Sequence, residues 1–595
     1  METFKKPDVE QFLRAYKIQD FVVSSDESQL IFSTNISGKF NLWAMDLPNE
    51  FPYPLTFNDQ SCHGLQYDKS GKFVIAAFDH EGDENAQFYM IPPHGGELQP
   101  VRTSEGNRHI SPILSDDGKR LYYTSSKDEP TFLKSYCYHL DSGKEQVIHD
   151  GEGAATFLLD ISPSEESFII SKFFSNTHKL SYVKVNEEII SLTPETNEQH
   201  TVTDAIYVSE TEIFLITDYG EDFSYIAKFN IETKEFNKLV SVPGAGFKMI
   251  KYDKQHKQLY AVSEKGVEDL LYRYEIDSKK LEEVESPVGE VQKLTVTESG
   301  HLYLLGTSAT KPANIYKKES NSHSWKQLTN NRVLGVDEKQ LVDPEVIKYE
   351  SFDGLEIEAL FFKATAAHSN GHVIFWPHGG PQYGERKFFR GVFQYLINEG
   401  FSIFAPNFRG STGYGLKFTK MVEGDWGHGP RLDNIEGLEY LIKNGYADRD
   451  KIFLIGGSYG GYMSLLLHGR HPEYFKAVVD IFGPSDLFSF INSVPDFWKP
   501  SMDQWVGNPE RDKEKLIEFS PITYLDNMTK PMLVIQGAND PRVVKAESDQ
   551  IVAALQEKGR DVEYMVLEDE GHGFSKLENE LKVYRTVSAF LEKYM

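Results

Sequence analysis

The run Lys451-Ile-Phe-Leu-Ile-Gly-Gly-Ser-Tyr-Gly-Gly-Tyr-Met-Ser-Leu-Leu-Leu467 places one serine, Ser458, between two different patterns. Lys451 to Ile455 is a short apolar run of strand length, and Tyr462 to Leu467 reads as the start of a helix. The Gly-Gly-Ser458-Tyr-Gly-Gly turn between them has the form of a nucleophile elbow. Glycines on both sides of the serine tolerate a strained backbone and let the helix approach the strand closely, which leaves the hydroxyl exposed at the strand tip. A glycine-rich turn without chemistry would carry the same short pattern, so the chemistry must be sought in partners elsewhere.

Around this turn, from about residue 340 onward, apolar strand-like runs alternate with amphipathic segments, the organisation of an α/β domain. Strands are expected at 356–362, 373–376, 401–405, 452–455, 477–481, 532–535 and 563–567, with helices over 386–398, 433–443, 544–557 and 577–594. Residues 336–595 therefore read as an α/β-hydrolase catalytic domain.

Upstream, residues 20 to about 330 read as short alternating strands separated by polar turns. A polar turn followed by a large apolar residue recurs, as in Ser24-Ser-Asp-Glu-Ser-Gln-Leu30 and Ser115-Asp-Asp-Gly-Lys-Arg-Leu121. Taking Leu30, Phe73, Leu121, Phe168, Ile213, Leu259 and Leu302 as anchors, successive spacings are 43 to 48 residues. A period of this length built from about four strands is that of a propeller blade, and seven blades close a ring without long exposed edges. A large β-sandwich is the competing reading, but it needs no constant period. Residues 19–335 are thus expected to be an all-β seven-bladed propeller. Residues 1–18 stand apart: Asp8 can cap a short helix over Val9 to Tyr16 whose apolar face, Phe12, Leu13 and Tyr16, is expected to pack on the hydrolase domain.

A serine hydroxyl needs an imidazole as general base, itself oriented by a carboxylate, and after such an elbow the chain order is Ser, Asp or Glu, His. Of 18 histidines, His468, His471 and His572 follow Ser458. The first two lie along the helix leaving the elbow, about 15–20 Å from the hydroxyl at its rise per residue. His572, in Glu568-Asp-Glu-Gly-His-Gly-Phe574 after the final strand, is the candidate base. For the carboxylate, Asp540 follows the strand 532–535, at the carboxyl end where ligands gather in open α/β sheets. Its rivals read otherwise: Asp480 as part of a buried strand, Asp486 as a helix cap, Asp569 as a badly placed neighbour of His572. Two amides must meet the developing oxyanion. One is the N–H of Tyr459; for the other, Pro377-His-Gly-Gly-Pro381 follows an earlier strand and offers Gly380. Pro93-His-Gly-Gly96 repeats four of these residues in the propeller region, where a turn explains them.

Composition limits the function. The chain has 595 residues, 40% hydrophobic and 26% charged, with 62 Lys and Arg against 90 Asp and Glu, a net charge of −28. No nucleic-acid surface is expected of such a balance, and no stretch approaches the ~20 apolar residues of a membrane span. The N-terminus lacks an apolar signal core, and two cysteines, Cys62 and Cys137, are expected to be free thiols in a reducing, cytoplasmic setting. No zinc-site spacing or phosphate-binding loop occurs, so neither metal nor organic cofactor is expected.

Gly-Gly-Ser458-Tyr-Gly-Gly-Tyr-Met463, His378-Gly-Gly-Pro381, Asn407-Phe-Arg-Gly-Ser-Thr-Gly-Tyr-Gly415, Gly424-Asp-Trp-Gly427, Asn539-Asp-Pro-Arg-Val543 and Glu570-Gly-His-Gly573 together resemble the prolyl oligopeptidase family of serine peptidases, most closely its acylaminoacyl-peptidase branch. The resemblance covers roughly residues 350 to 595. It implies a peptidase whose propeller restricts entry to short peptides, with Arg542 binding a substrate carbonyl near the scissile bond. It favours the Gly380 amide as second oxyanion donor, whereas prolyl oligopeptidases proper use a tyrosine, a role that Tyr383 is near enough in sequence to take. Phe408, Phe482, Trp498 and Val543 are candidate walls of a side-chain pocket, although core packing is the preferred reading of each. Dipeptidyl peptidases of the superfamily hold a free amino terminus with paired glutamates, and Glu165-Glu166, Glu187-Glu188 and Glu282-Glu283 show no such context.

The expected function is that of a serine peptidase acting on short peptides and releasing N-acylated amino-terminal residues. The alternatives are a dipeptidyl peptidase or oligopeptidase of the same family, an esterase or amidase with small acyl substrates, and a non-catalytic binding platform, which the intact Ser, Asp and His disfavour. Self-association follows by analogy alone.

Overall fold

The computed structural model describes residues 5–366 and 368–595; residues 1–4 of the N-terminal segment lie outside them. Seven four-stranded antiparallel sheets follow one another along the chain, beginning at Ile18 and ending at Gln327. They are the blades of the propeller. Six of the seven sequence anchors lie in the second strand of their blade, Leu30 in Gln29–Thr34 and Leu259 in Gln258–Lys265, for example. Phe73 directly precedes Val74–Phe78.

The polar turns recur for a physical reason. A Ser, Asp or Thr side chain accepts a backbone N–H across the turn: Ser24 Oγ from Gln29 (3.0 Å), Ser115 Oγ from Arg120 (2.9 Å), Ser162 Oγ from Ser167 (3.1 Å) and Thr297 Oγ1 from His301 (3.1 Å). Such local bonds compete with regular structure and fix the turn. Adjacent blades are tied by carboxylates on inner strands, as where Asp160 Oδ2 accepts the Tyr207 N–H at 2.8 Å. Every blade consists of consecutive strands, so the first and last share no strand. Side chains join them instead: Lys293 pairs with Asp20 and donates to the Phe21 carbonyl at 2.8 Å, and Glu27 takes His301 at 2.8 Å and Lys317 at 3.1 Å.

The second half is an eight-stranded sheet in the spatial order Glu345–Glu350, Glu356–Phe362, Ser402–Asn407, Val373–Phe375, Ile452–Gly457, Val478–Ile481, Met532–Gly537, Val562–Leu567. The five pairings from Ser402–Asn407 to Val562–Leu567 are parallel; the first two are antiparallel. This is the strand order of an α/β hydrolase, with helices covering both faces. The edge strand Glu345–Glu350 has no counterpart in the sequence reading. Only its Ile347 and Tyr349 are buried, so its apolar signal is short.

Residues 386–390 are not helical as expected; the helix is Gly391–Asn398. The preceding stretch is held against the propeller. Buried Arg386 pairs with Asp269 of the sixth blade and Lys387 with its Glu268, while the Lys387 N–H donates to the Val267 carbonyl at 3.0 Å. A tertiary contact thus overrides helix propensity.

The N-terminal helix spans Val9–Leu13, shorter than expected, with Asp8 and Gln11 forming a capping box. Val9, Phe12 and Leu13 are buried in the core that also contains helices Gly391–Asn398 and Leu577–Lys593, each side chain contributing about 1.5–3 kcal/mol of burial. Among the described residues no helix is long and apolar enough to cross a membrane.

Candidate active site

Ser458 ends the strand Ile452–Gly457 and starts the helix Tyr459–Arg470, with φ 59° and ψ −123°. A non-glycine residue in this region is strained, and the strain is held by the N–H of Ser458 donating to the Ile481 carbonyl at 2.9 Å. A Cβ at Gly460 would collide with the Pro377 carbonyl oxygen. That contact is why the helix can lie so near the loop after the strand Val373–Phe375 only with glycine at this position.

His572 and Asp540 come from the loops after the last two strands. Nε2 of His572 is 2.9 Å from Ser458 Oγ, and Nδ1 is 2.6 Å from Asp540 Oδ2. With the Nδ1 proton directed at the carboxylate, Nε2 accepts from the hydroxyl, the orientation a general base requires. Asp540 Oδ1 accepts the N–H groups of Arg542 and Val543, each at 2.9 Å, so the carboxylate is fixed in direction before it meets the imidazole. The histidine loop is held by buried Glu570, whose oxygens take the N–H groups of Ser575 (2.8 Å) and Lys576 (3.0 Å). Glu570 was visible in sequence only as one acid among several.

The rival residues lie elsewhere. Asp480 is fully buried and accepts from the Gly483 N–H at 2.9 Å; burial lifts its pKa to about 8. Asp486 caps the helix Leu487–Ser493, and Asp569 pairs with Lys576. His468, whose pKa burial pushes down to about 3, accepts the Lys530 N–H at 3.0 Å, and His471 caps the end of the elbow helix.

A cavity of about 560 Å³ opens over the serine, lined in part by Gly379, Gly380, Ser458, Tyr459, Arg542 and His572. Tyr459 opens its helix, so its N–H has no carbonyl one turn back. Gly380, with φ +119°, precedes a cis peptide to Pro381, and Gly379 packs against Ser458. Tyr383 also lines the cavity.

Of the expected pocket walls, Phe482, Trp498 and Val543 line it, together with Trp426, Phe490 and Trp505. Phe408 does not. It is fully buried and stacked on His378 at 4.2 Å, where it supports the loop that carries Gly380. His378 in turn meets Ser411 Oγ through Nε2 at 2.8 Å, and burial drives its pKa down to about 4, so it serves as a neutral strut.

The propeller reaches this site through its loop 79–86. Glu84 Oε1 lies 2.7 Å from Arg542 Nε, and the backbone of Gly82 touches that of Gly571, next to His572. Long sequence separation hid this loop: nothing near Glu84 signals a partner 458 residues away.

Residues 387–595 match the prolyl oligopeptidase family. The chain is 38% identical over 227 residues to dipeptidyl peptidase family member 6 of Caenorhabditis elegans, covering 37% of this chain and 31% of that protein. It is 28% identical over 248 residues to the acylamino-acid-releasing enzyme of Arabidopsis thaliana, covering 40% and 32%. The chain thus spans about a third of the length of these curated relatives. A puromycin-hydrolyzing peptidase of Mycobacterium tuberculosis shares the fold over 100% of this chain and 97% of that one, with a TM-score of 0.87 at 18% identity. With the elbow, the eight-stranded sheet and the seven-bladed propeller in place, residues 387–595 match a prolyl oligopeptidase family domain, and the half of the chain that holds them has the α/β-hydrolase fold.

Proposed function

We propose that the protein is a serine peptidase that cleaves short peptides and prefers to release N-acylated amino-terminal residues. The observation that carries the chemistry is the unbroken chain from Ser458 through His572 to Asp540, at 2.9 and 2.6 Å. In this reading Ser458 Oγ attacks the scissile carbonyl carbon while His572 Nε2 takes its proton. The N–H groups of Tyr459 and Gly380 receive the oxyanion. Collapse breaks the C–N bond, and the proton on Nε2 passes to the leaving nitrogen. Water then repeats the sequence on the acyl-serine and frees the acid. Residues 19–335 act as the lid, residues 336–595 as the catalytic unit, and residues 1–18 belong to the latter. Two buried, unpaired cysteines, Cys62 and Cys137, support a reducing, cytoplasmic setting.

The preference for a blocked amino terminus draws on charge. Arg390 and Arg542 line the cavity, and no carboxylate does among the described residues. An ammonium group entering it would be desolvated beside cations, whereas an acyl cap would not. A second reading, release of dipeptides with a free amino terminus, is favoured by Glu84, whose carboxylate meets Arg542 at the edge of the cavity, and by the dipeptidyl peptidase among the relatives. The two readings separate on kcat/KM for acetyl-aminoacyl, free-amino dipeptidyl and simple ester substrates. Faster turnover of free-amino dipeptides replaces the first reading with the second; turnover of esters alone rejects both.

A further inference from the structure

The cavity over Ser458 has two walls. On one side Trp426 packs edge-on against Tyr459 and Trp505, both at 5.0 Å, with Trp498 beyond. On the other, the wall runs from His572 to Phe482 (ring centroids 4.6 Å), Phe574 (6.0 Å) and Tyr584 (6.1 Å), and includes Arg390. The imidazole delivers its proton to the leaving nitrogen, so the leaving group must lie on the histidine side. Arg390 therefore stands where the carboxyl-terminal part of a cleaved peptide would go, and its charge acts on both Tyr383 and Tyr584 of the lining.

The side chain is fixed and half-used. Nε and Nη2 of Arg390 lie 3.0 and 3.1 Å from the two oxygens of Glu385, itself fully buried. The guanidinium sits 4.6 Å over the Phe388 ring and 5.2 Å over Phe393. Nη1 has no hydrogen-bond partner among the described residues, and it is not one of the unpartnered atoms sealed from solvent. A rigid guanidinium with free donors facing a cavity matches a carboxylate in geometry and charge.

We infer that Arg390 binds the free α-carboxylate of the leaving group, which narrows the substrates to short peptides whose carboxyl terminus lies one residue beyond the scissile bond. The inference rests on the peptidase reading given above. It adds to that reading a second anchor, on the opposite side of the scissile bond from Arg542.

The test compares acetyl-Phe-Ala with acetyl-Phe-Ala-amide, which differ only in the terminal charge. The wild-type enzyme should favour the free acid in kcat/KM by roughly ten- to a hundredfold, the range for losing one charge-assisted hydrogen-bonded contact. In Arg390→Met that ratio should fall to near one, through KM for the acid, and Arg390→Lys should restore part of it. Because Arg390→Met strands Glu385, the double variant Glu385→Gln/Arg390→Met, which removes both buried charges, carries the same measurement if the single variant does not fold. A wild-type ratio near one overturns the inference, as does a ratio that survives in the variants. If p-nitrophenyl acetate is turned over and neither peptide is, the peptidase reading falls and this inference with it; peptide cleavage at a ratio of one removes this inference alone.

Discussion

Arg542 Nε lies 2.7 Å from Glu84 Oε1, joining the loop of Asp540 to the second blade of the propeller. The same arginine donates its backbone N–H to Asp540 at 2.9 Å. Glu84 therefore orients a side chain at the cavity edge without touching the triad. Glu84→Gln should raise KM for peptide substrates about three- to tenfold, the modest size following from an arginine that remains partly exposed. The change should be smaller for a simple ester, which has no second carbonyl to bind, so kcat/KM on both substrates checks the assignment.

Ser458→Ala should abolish labelling by a fluorophosphonate and reduce turnover by at least about a thousandfold. Asp540→Asn should leave the fold intact and lower kcat by about three to four orders of magnitude, because an amide no longer fixes the Nδ1–H tautomer of His572. Active-site titration against circular dichroism separates loss of chemistry from loss of structure.

Asp480 gives a pH signature in stability. Its folded pKa, lifted by burial to about 8, exceeds the value of about 4 for an unfolded aspartate. The native state thus holds a proton that the unfolded state has released, and stability falls as pH rises from about 4 to about 8 and then levels. Asp480→Asn removes this slope and should raise Tm at pH 8 by a few degrees relative to wild type, with a smaller difference at pH 5. Thermal unfolding at both pH values decides it.

Arg386 and Asp269 form a buried pair across the two halves of the chain, with Lys248 also 2.8 Å from Asp269. Arg386→Met leaves Lys248 as the one cation paired with the aspartate, beside the Val291 N–H. The expected cost is about 3 kcal/mol, the lower end for breaking a buried pair, and it should appear as weaker docking of propeller and hydrolase. Faster limited proteolysis between residues 328 and 344 would report it; an unchanged cleavage rate would contradict it.

The sequence was most informative where one physical rule acts locally. Seven turns capped by Ser, Asp or Thr repeat every 43 to 48 residues because each closes the same hairpin, and the spacing alone revealed the ring. The elbow, the histidine loop and the aspartate loop were legible because each follows a strong apolar strand. What remained hidden depends on contacts between distant segments. Phe408 packs in the core, the reading preferred for it, but nothing in the sequence named His378 as the ring it stacks on. Arg386 to Arg390 looked helical, yet pairing with the sixth blade keeps the first part out of the helix. Tyr584 lies in the terminal helix, for which nothing in the sequence signals a role in the site, and only the packing of that helix brings it to the cavity.

The contact between Gly82 and Gly571 bears on how the two halves can part. A Cβ on Gly82 would sit 2.7 Å from the Gly571 nitrogen, and one on Gly571 would run into the Gly82 carbonyl. Main chain therefore rests directly on main chain one residue from His572, with no side chain in between to cushion relative movement. Any hinge motion that lifts the blade loop also unloads the segment presenting the imidazole. A bulky residue at either glycine would act as a permanent wedge, propping the shell ajar while leaving Ser458, His572 and Asp540 chemically intact.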